Sequence, residues 1–347
     1  MNARQNDIIF RPVEARDYPD LRALYNRVWN RTRDERYDMM RFRDTLKGLP
    51  IAAVGEEQGE VAGFFTLWPL DLTDGKTIIP AGEAMDVMTD DRFRGRGVFP
   101  KLAAASAKFA ADRGIQILFG APNAAIFNGY LKKLAWAAPG FIRSFTRPLS
   151  LKGVVPAGGI TDPVFALGSK KDARGFNIVR SRPDDAALED CLSRSEGKGR
   201  NSAGGGQLRV HRTPAWYDFR YQDAGRFDYS WIALWQGNRL AGFTIWALSL
   251  EPGQRLRRAN LVEIIGEDDG VIHAAIKIAI ADAQMAGANF LHAVMTAPHR
   301  APMFRKLGFL PLKKTPLIAR TLDAASHGGN PFLEDGWDLF GGDFDFT

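Results

Sequence analysis

The chain has 347 residues, of which 45% are apolar, 25% charged and 11% aromatic, a globular composition that excludes disordered, collagen-like and coiled-coil proteins. Its length predicts two domains, and with no apolar run approaching the roughly 18 residues of a membrane span and no signal-peptide core at the start, a soluble cytoplasmic protein is expected. The formal net charge is +6, yet residues 330–347 hold five acids and no base, so the rest carries +11, an excess suited to a phosphate-bearing ligand.

Several partner classes drop out on the same grounds. The lone Cys191 cannot form an internal disulfide or a thiolate metal site and reads as core filling. His273, His292 and His299 lack metal-like spacing, and no metal is expected. Helix-turn-helix, zinc-finger and RNP signatures are missing, so no nucleic acid is expected either.

In chain order, Ile8–Arg11 reads as a first strand and Asp17–Trp29 as a helix with an Asp start. Ile51–Gly55 and Val61–Leu67 read as an antiparallel pair, and Glu83–Thr89 as the next strand. Phe99, Leu102, Ala103, Ser106, Phe109 and Ala110 form one stripe at helical spacing, ending at Gly114. Ile115–Phe119 follows as a strand, which makes the region a strand-helix-strand crossover. Phe141–Leu151 is expected to close this first sheet. Lys152–Gly175, rich in Gly, Pro and Lys, reads as a linker, Phe176–Arg180 as the first strand of a second half, and Ser195–Gly206 as a surface loop.

An internal repeat relates the two halves. Val98 to Gly114 and Val271 to Gly287 have the same spacing, as do those glycines to Trp136 and to Phe309. Upstream, Glu60-Val61-Ala62-Gly63-Phe64 matches Arg239-Leu240-Ala241-Gly242-Phe243. The expected domains are 1–151, a linker 152–175, 176–325, and an acidic tail 326–347.

The densest chemical signal is Asp91-Arg92-Phe93-Arg94-Gly95-Arg96-Gly97-Val98-Phe99, a basic, glycine-punctuated turn between strand and helix. Glycines allow close backbone approach, the N–H groups of a first helical turn are free to meet an anion, and arginines add forked donors. Neither the Walker pattern nor G-x-G-x-x-G is present, which argues against nucleotide hydrolysis and dinucleotide binding.

This stretch resembles the phosphate loop of the GNAT family, the Gcn5-related N-acetyltransferases, which carry Q/R-x-x-G-x-G/A and bind acetyl-CoA. Arg92-x-x-Gly95-x-Gly97 satisfies the pattern literally. Arg94-x-x-Gly97-x-Phe99 places Phe93 at the family's usual aromatic position and is preferred, with Phe99 in place of the final Gly or Ala. Asn123 followed by Tyr130-Leu131-Lys132-Lys133-Leu134-Ala135-Trp136 is similar to the family's N-x6-Y-x-K-x-G-F stretch, with Ala135 where Gly is usual.

The resemblance, good over about residues 8–150 and fainter beyond, implies a mixed-sheet α/β fold made of tandem GNAT-like acyl-CoA N-acyltransferase domains, the second degenerate. It implies acetyl-CoA as cosubstrate, held by the amides of Arg94, Gly95, Arg96, Gly97, Val98 and Phe99, by Val87, Met88 and Thr89 along the pantetheine arm, and by Asn123. Glu83 stands where several members place a general base, Asp86 is the nearby alternative, and Tyr130 is the candidate acid for the leaving thiolate. The implied activity is acetyl transfer to a primary amine of a small molecule. Trp337 and Gly341-Gly342-Asp343 resemble tails of acetyltransferases linked to surface polysaccharides, which points to an amino-sugar acceptor. The alternatives are Fem-type aminoacyl transfer on the same paired fold and a non-catalytic acyl-CoA-binding module.

In the second half the repeat sets Glu267-Asp268-Asp269-Gly270-Val271 against Arg94-Gly95-Arg96-Gly97-Val98, and Met303 against Tyr130. Charge reversal there is expected to exclude CoA, leaving that half to wall the acceptor cleft. Arg255, Arg257 and Arg258, followed by Asn260, form a basic turn suited to an anionic acceptor.

Overall fold

In a computed structural model of the chain, the described residues are 7–30, 32–33, 35, 42, 45–150, 175–198, 207–221, 227–249, 256–322, 332, 334 and 336–344. They divide into two compact units, Met1–Gly140 with Pro316–Glu334, and Phe141–Thr315 with Asp335–Thr347. The linker expected at 152–175 lies outside the described residues except Gly175, as do 199–206 and Arg255.

Unit 1 begins with β1 (Ile9–Pro12), α1 (Tyr18–Trp29), β2 (Ile51–Glu57), β3 (Glu60–Thr73) and β4 (Ile78–Thr89). It continues with α2 (Val98–Asp112), β5 (Ile117–Gly120) and α3 (Ala124–Lys133). Strands β1 to β4 pair antiparallel in sequence order, and β4 pairs parallel with β5. Parallel neighbours need a crossover, and α2 supplies it.

The stripe read from the sequence is the buried face of α2, with Leu102, Ala103, Ser106 and Ala110 inside, joined by Val98 and Ala107. Ser106 is tolerated there because its hydroxyl donates to the Phe65 carbonyl at 2.9 Å. On this face the helix covers Phe65, Leu67 and Leu118. On the other face Leu21 and Leu24 of α1 pack on Val54, Phe64 and Met88.

Unit 2 holds β6 (Ala137–Pro148, from Phe141 on), β7 (Asn177–Val179), α4 (Asp185–Lys198), β8 (Arg209–Val210) and α5 (Pro214–Tyr221). These are followed by β9 (Phe227–Gln236), β10 (Arg239–Ser249), β11 (Arg258–Gly266), α6 (Asp269–Met285), β12 (Phe290–Met295) and α7 (Ala301–Lys306). Strands β7, β9, β10 and β11 are antiparallel neighbours, and β11 pairs parallel with β12 across α6.

Two expectations are corrected. Phe141–Leu151 does not close the first sheet: β6 pairs antiparallel with β12, from Arg143↔Met295 to Pro148↔Phe290. Phe145 and Leu149 are buried in the core of unit 2, Phe145 with its ring 5.9 Å from that of Phe304. The place beside β5 goes to β13 (Leu310–Thr321), paired from Ile318↔Gly120 to Thr321↔Ile117, and Ile318 joins the core under α2. The division therefore follows neither the boundary at 151 nor a contiguous second half. In addition, Ser195–Lys198 belong to α4 rather than to a loop.

The repeat recurs as register. Parallel pairing runs from Ala81↔Ile117 to Ala84↔Gly120 in unit 1 and from Arg258↔Phe290 to Leu261↔Ala293 in unit 2. Gly63↔Thr89 has its counterpart in Gly242↔Gly266.

Candidate active site

In unit 1 the pairing of β4 with β5 stops at Ala84↔Gly120, while β4 runs on to Thr89. Beyond that point no pairing with β5 continues among the described residues, so Val87–Thr89 lie where an extended ligand could run along the strand. Val87 packs against the core under α2, and Met88 lies in the α1 core, facing the other way. Asp86, just before them, has φ +44° at an irregularity in the β3–β4 register.

After β4 the backbone turns through Asp91–Phe93 into α2. Gly95 and Gly97 have φ of +80° and +75°, conformations that favour glycine, and a Cβ built on either would meet nothing within 4 Å. The concave side of the turn is thus open. Gly97 is the N-cap of α2 with no side-chain hydrogen bond to the helix, so the helix start presents its N–H groups and positive end outward. Pro100, in the first turn, has no N–H to leave unpaired.

The arginines of this turn are held by carboxylates. Asp90 accepts from the Arg92 backbone N–H at 3.0 Å and pairs with the Arg92 guanidinium at 3.0 Å and with Arg27 of α1 at 2.5 Å. Hydrogen bonds from Arg92 outweigh the cost of burial and, with help from Arg27, hold this carboxyl well below the usual range. Arg96 pairs with Glu57 at 2.5 Å and lies 5.2 Å from the Phe93 ring centre. Arg94 pairs at 2.7 Å with Asp91, and both side chains are largely exposed. The sequence reading named the arginines but not Asp90, Glu57 or Arg27. Asp90 directly precedes the turn, whereas Glu57 stands in β2, 39 residues from the arginine it meets, so that pairing depends on how the strands are arranged.

Glu83 is buried on β4, opposite Trp68 of β3 and Phe119 of β5, one residue before the strands part. Asp86 is committed to Arg33 at 2.6 Å, with both side chains almost fully buried. The Asn123 amide oxygen caps α3, accepting from Ala125 and Ile126 at 3.0 and 3.2 Å. Tyr130 is buried, and burial pushes its phenol well above the ordinary value. Its ring centre lies 5.2 Å from Phe99, 5.0 Å from Trp136 and 6.3 Å from Phe65. Phe99 thus faces α3, and Gly129 beside it has no room for a Cβ, which would stand 3.0 Å from the Phe99 ring. The departure from Gly or Ala at position 99 is absorbed by a glycine on the facing helix.

Unit 2 handles the equivalent turn differently. Glu267 donates its N–H to Ala241 at 3.1 Å, as Asp90 does to Ala62 at 2.9 Å, and Glu267 is gripped by Arg194 at 2.6 Å and by Arg239. Strand register therefore sets Glu267 against Asp90 rather than against Arg94, and the turn between strand and helix is shortened. Asp268 then caps α6, its carboxylate accepting from Val271 at 2.9 Å. At this helix start a carboxylate of the chain takes the place that an incoming anion would need. The same register sets Asn260, buried on β11 opposite His292, against Glu83. Arg257 is tied to the carbonyl of Ala286 at 3.0 Å.

Among the described residues no group of three His, Cys, Asp or Glu side chains is placed to hold a metal ion, and no helix is long and apolar enough to cross a membrane.

The family model described as an acetyltransferase (GNAT) domain matches residues 10–137. A GCN5-related N-acetyltransferase from Kribbella flavida superposes with a TM-score of 0.65 at 15% identity, covering 93% of this chain and 73% of that one. Another, from Anabaena variabilis, gives a TM-score of 0.65 at 9% identity, covering 91% and 73%. The Saccharomyces cerevisiae N-myristoyltransferase with bound myristoyl-CoA gives 0.60 at 13% identity, covering 91% and 84%. Among curated proteins none matches the chain. At such identities the superpositions establish the fold, and residues 10–137 are similar to the GNAT acetyltransferase domain that the family model describes.

Proposed function

We propose that the protein is an acetyl-CoA-dependent N-acetyltransferase whose chemistry resides in unit 1. The observation that carries this reading is the pairing of an uncapped helix start, open at Gly95 and Gly97, with the end of β4 from Val87 to Thr89, beyond the last residue paired with β5. The first suits a pyrophosphate and the second an extended pantetheine arm. The amides of the turn would hold the phosphates, with Arg94 the arginine whose exposed partner is most easily exchanged for a phosphate oxygen.

Glu83, beside the point where β4 and β5 part, would take the proton of the acceptor ammonium. The amine nitrogen then attacks the thioester carbonyl carbon, the C–S bond breaks, the Tyr130 hydroxyl gives its proton to the departing thiolate, and the proton that the nitrogen sheds as the amide forms restores the phenol. Burial keeps this phenol protonated, so its O–H is in place when the thiolate forms. Asp86, ion-paired with Arg33, is the less suitable base. The acceptor is read as a small primary amine, with an amino sugar as the favoured class. Incubating the protein with acetyl-CoA and a panel of amines, with detection of free thiol, tests this. Acceptor-dependent thiol release supports it, whereas tight acetyl-CoA binding with no acceptor-dependent release would favour the non-catalytic module.

A further inference from the structure

Residues 283–315 contain five lysines and arginines and no acid. This stretch contributes β12, α7 and the first half of β13 to unit 2. Within it, Leu310, Pro311, Leu312, Lys313 and Lys314 are all exposed in succession, so this half-strand is covered on neither face. Leu310 and Leu312 are 56% and 60% exposed, and Phe141 of β6, also in unit 2, is 45% exposed. The Lys314 ammonium lies 5.8 Å from the Phe141 ring centre, which places Phe141 on the side of the strand shared by Leu310, Leu312 and Lys314. Toward the other side, the charges of Arg258 and Lys313 add to burial in depressing the His292 imidazole, and Arg305 and Lys306 of α7 are exposed nearby in sequence.

Single exposed leucines are ordinary, but aliphatic side chains alternating with lysines on a strand bare on both faces are not. A polyanion that offers only charge would leave Leu310, Leu312 and Phe141 in water. A surface that is negative at its rim and apolar beneath would satisfy both sets of side chains. We propose that this face of unit 2, centred on Leu310–Lys314 and Phe141, docks reversibly on an anionic lipid bilayer, resting at the headgroup level. Docking needs no membrane-crossing element, and it goes beyond the acyl-transfer reading because it involves none of the residues of the candidate active site.

The test is co-sedimentation of the full-length protein with vesicles of phosphatidylcholine alone, or of equal parts phosphatidylcholine and phosphatidylglycerol, without substrate. Binding to the anionic vesicles, weak on the neutral ones and lost in high salt, is expected. Lys313→Glu with Lys314→Glu should weaken it by at least about tenfold, since each lysine near such a surface contributes roughly that factor or less. Leu310→Ser with Leu312→Ser should weaken it while leaving the salt dependence in place. Thermal melting of both variants, expected at the wild-type temperature because the side chains are exposed, separates lost docking from lost fold. Equal binding to neutral vesicles, wild-type binding by either folded variant, or no vesicle binding at all overturns the proposal. So does a wild-type dimer that the Leu310/Leu312 variant converts to monomer, since a second copy would then be the occupant.

Discussion

At the scale of single residues the account rests on a division of labour among three carboxylates within a few positions. Asp90 is held by Arg27 and Arg92, Asp86 by Arg33, and Glu83 sits buried where β4 leaves β5. If Glu83 is the base, Glu83→Gln should reduce kcat by about 10²- to 10⁴-fold and leave the dissociation constant for acetyl-CoA nearly unchanged. Steady-state kinetics beside a binding titration checks this, and a kcat within a few-fold of wild type assigns the proton to solvent. Tyr130→Phe isolates the hydroxyl, because the ring contacts with Phe99 and Trp136 remain. The melting temperature should hold while kcat falls, and unchanged turnover would make Tyr130 a packing residue only. The glycine-arginine turn was legible in sequence because its chemistry is local. The anchoring by Glu57 was not, because an ion pair between β2 and the turn is decided by strand placement, and neither was the contact of Asp90 with Arg27 of α1.

At the scale of elements, the helices and most strands were legible from period and caps, since α2 and α6 each carry one buried stripe ended by a glycine. The local pairings of β2 with β3 and of β4 with β5 were legible too, but distant partners were not. β6 has the alternation of a strand that could join either sheet, and only the burial of Phe145 and Leu149 in the unit 2 core decides between them. The two helix starts also differ in a way that spacing conceals, because an N-cap Asp in place of Gly reverses what the turn can bind. Asp268→Ala should cost about 1 kcal/mol of stability, as loss of a cap does, without creating a second acetyl-CoA site. His292 on β12 offers a pH test. Burial, with Arg258 and Lys313, lowers its imidazole from 6.5 to about 4. Above the unfolded value both states are neutral; between about 6.5 and about 4 only the unfolded chain takes up the proton; below that both carry it. Stability should therefore fall as pH drops through this window, by at most about 3 kcal/mol, and then level off. His292→Gln should flatten that part of the profile, and a wild-type slope in the variant would contradict the assignment.

At the scale of the whole molecule, chain order and compact units do not coincide. Pro316–Glu334 belongs with the first 140 residues, and Ile318–Thr321 supply the strand beside β5. A fragment of residues 1–151 therefore lacks a partner for β5 and ends with a strand meant for β12, so it should show no cooperative melting transition by circular dichroism. A sharp transition would mean that β13 is dispensable to unit 1. The acidic tail is likewise structural in unit 2: Asp343 meets Arg212 at 2.8 Å, Glu263 meets it at 2.7 Å, and all three are buried. Arg212→Met would leave two buried carboxylates without their cation and should destabilise by about 3 to 5 kcal/mol, whereas Asp343→Asn leaves a balanced Arg212–Glu263 pair and should cost less. Denaturant unfolding of the two variants ranks them, and the reverse order would refute this reading of the network.

The central claim, that acyl-CoA is taken once and at the uncapped start of α2, is tested most directly by calorimetric titration of acetyl-CoA into the wild type and into Gly97→Asp. That substitution sets a carboxylate at the helix start of unit 1, where like charge opposes a pyrophosphate, on backbone at φ +75° that costs an aspartate some stability. One site per chain in the wild type and none in a Gly97→Asp protein that still melts cooperatively is the predicted result. Two sites in the wild type, or unchanged affinity in the folded variant, would contradict it.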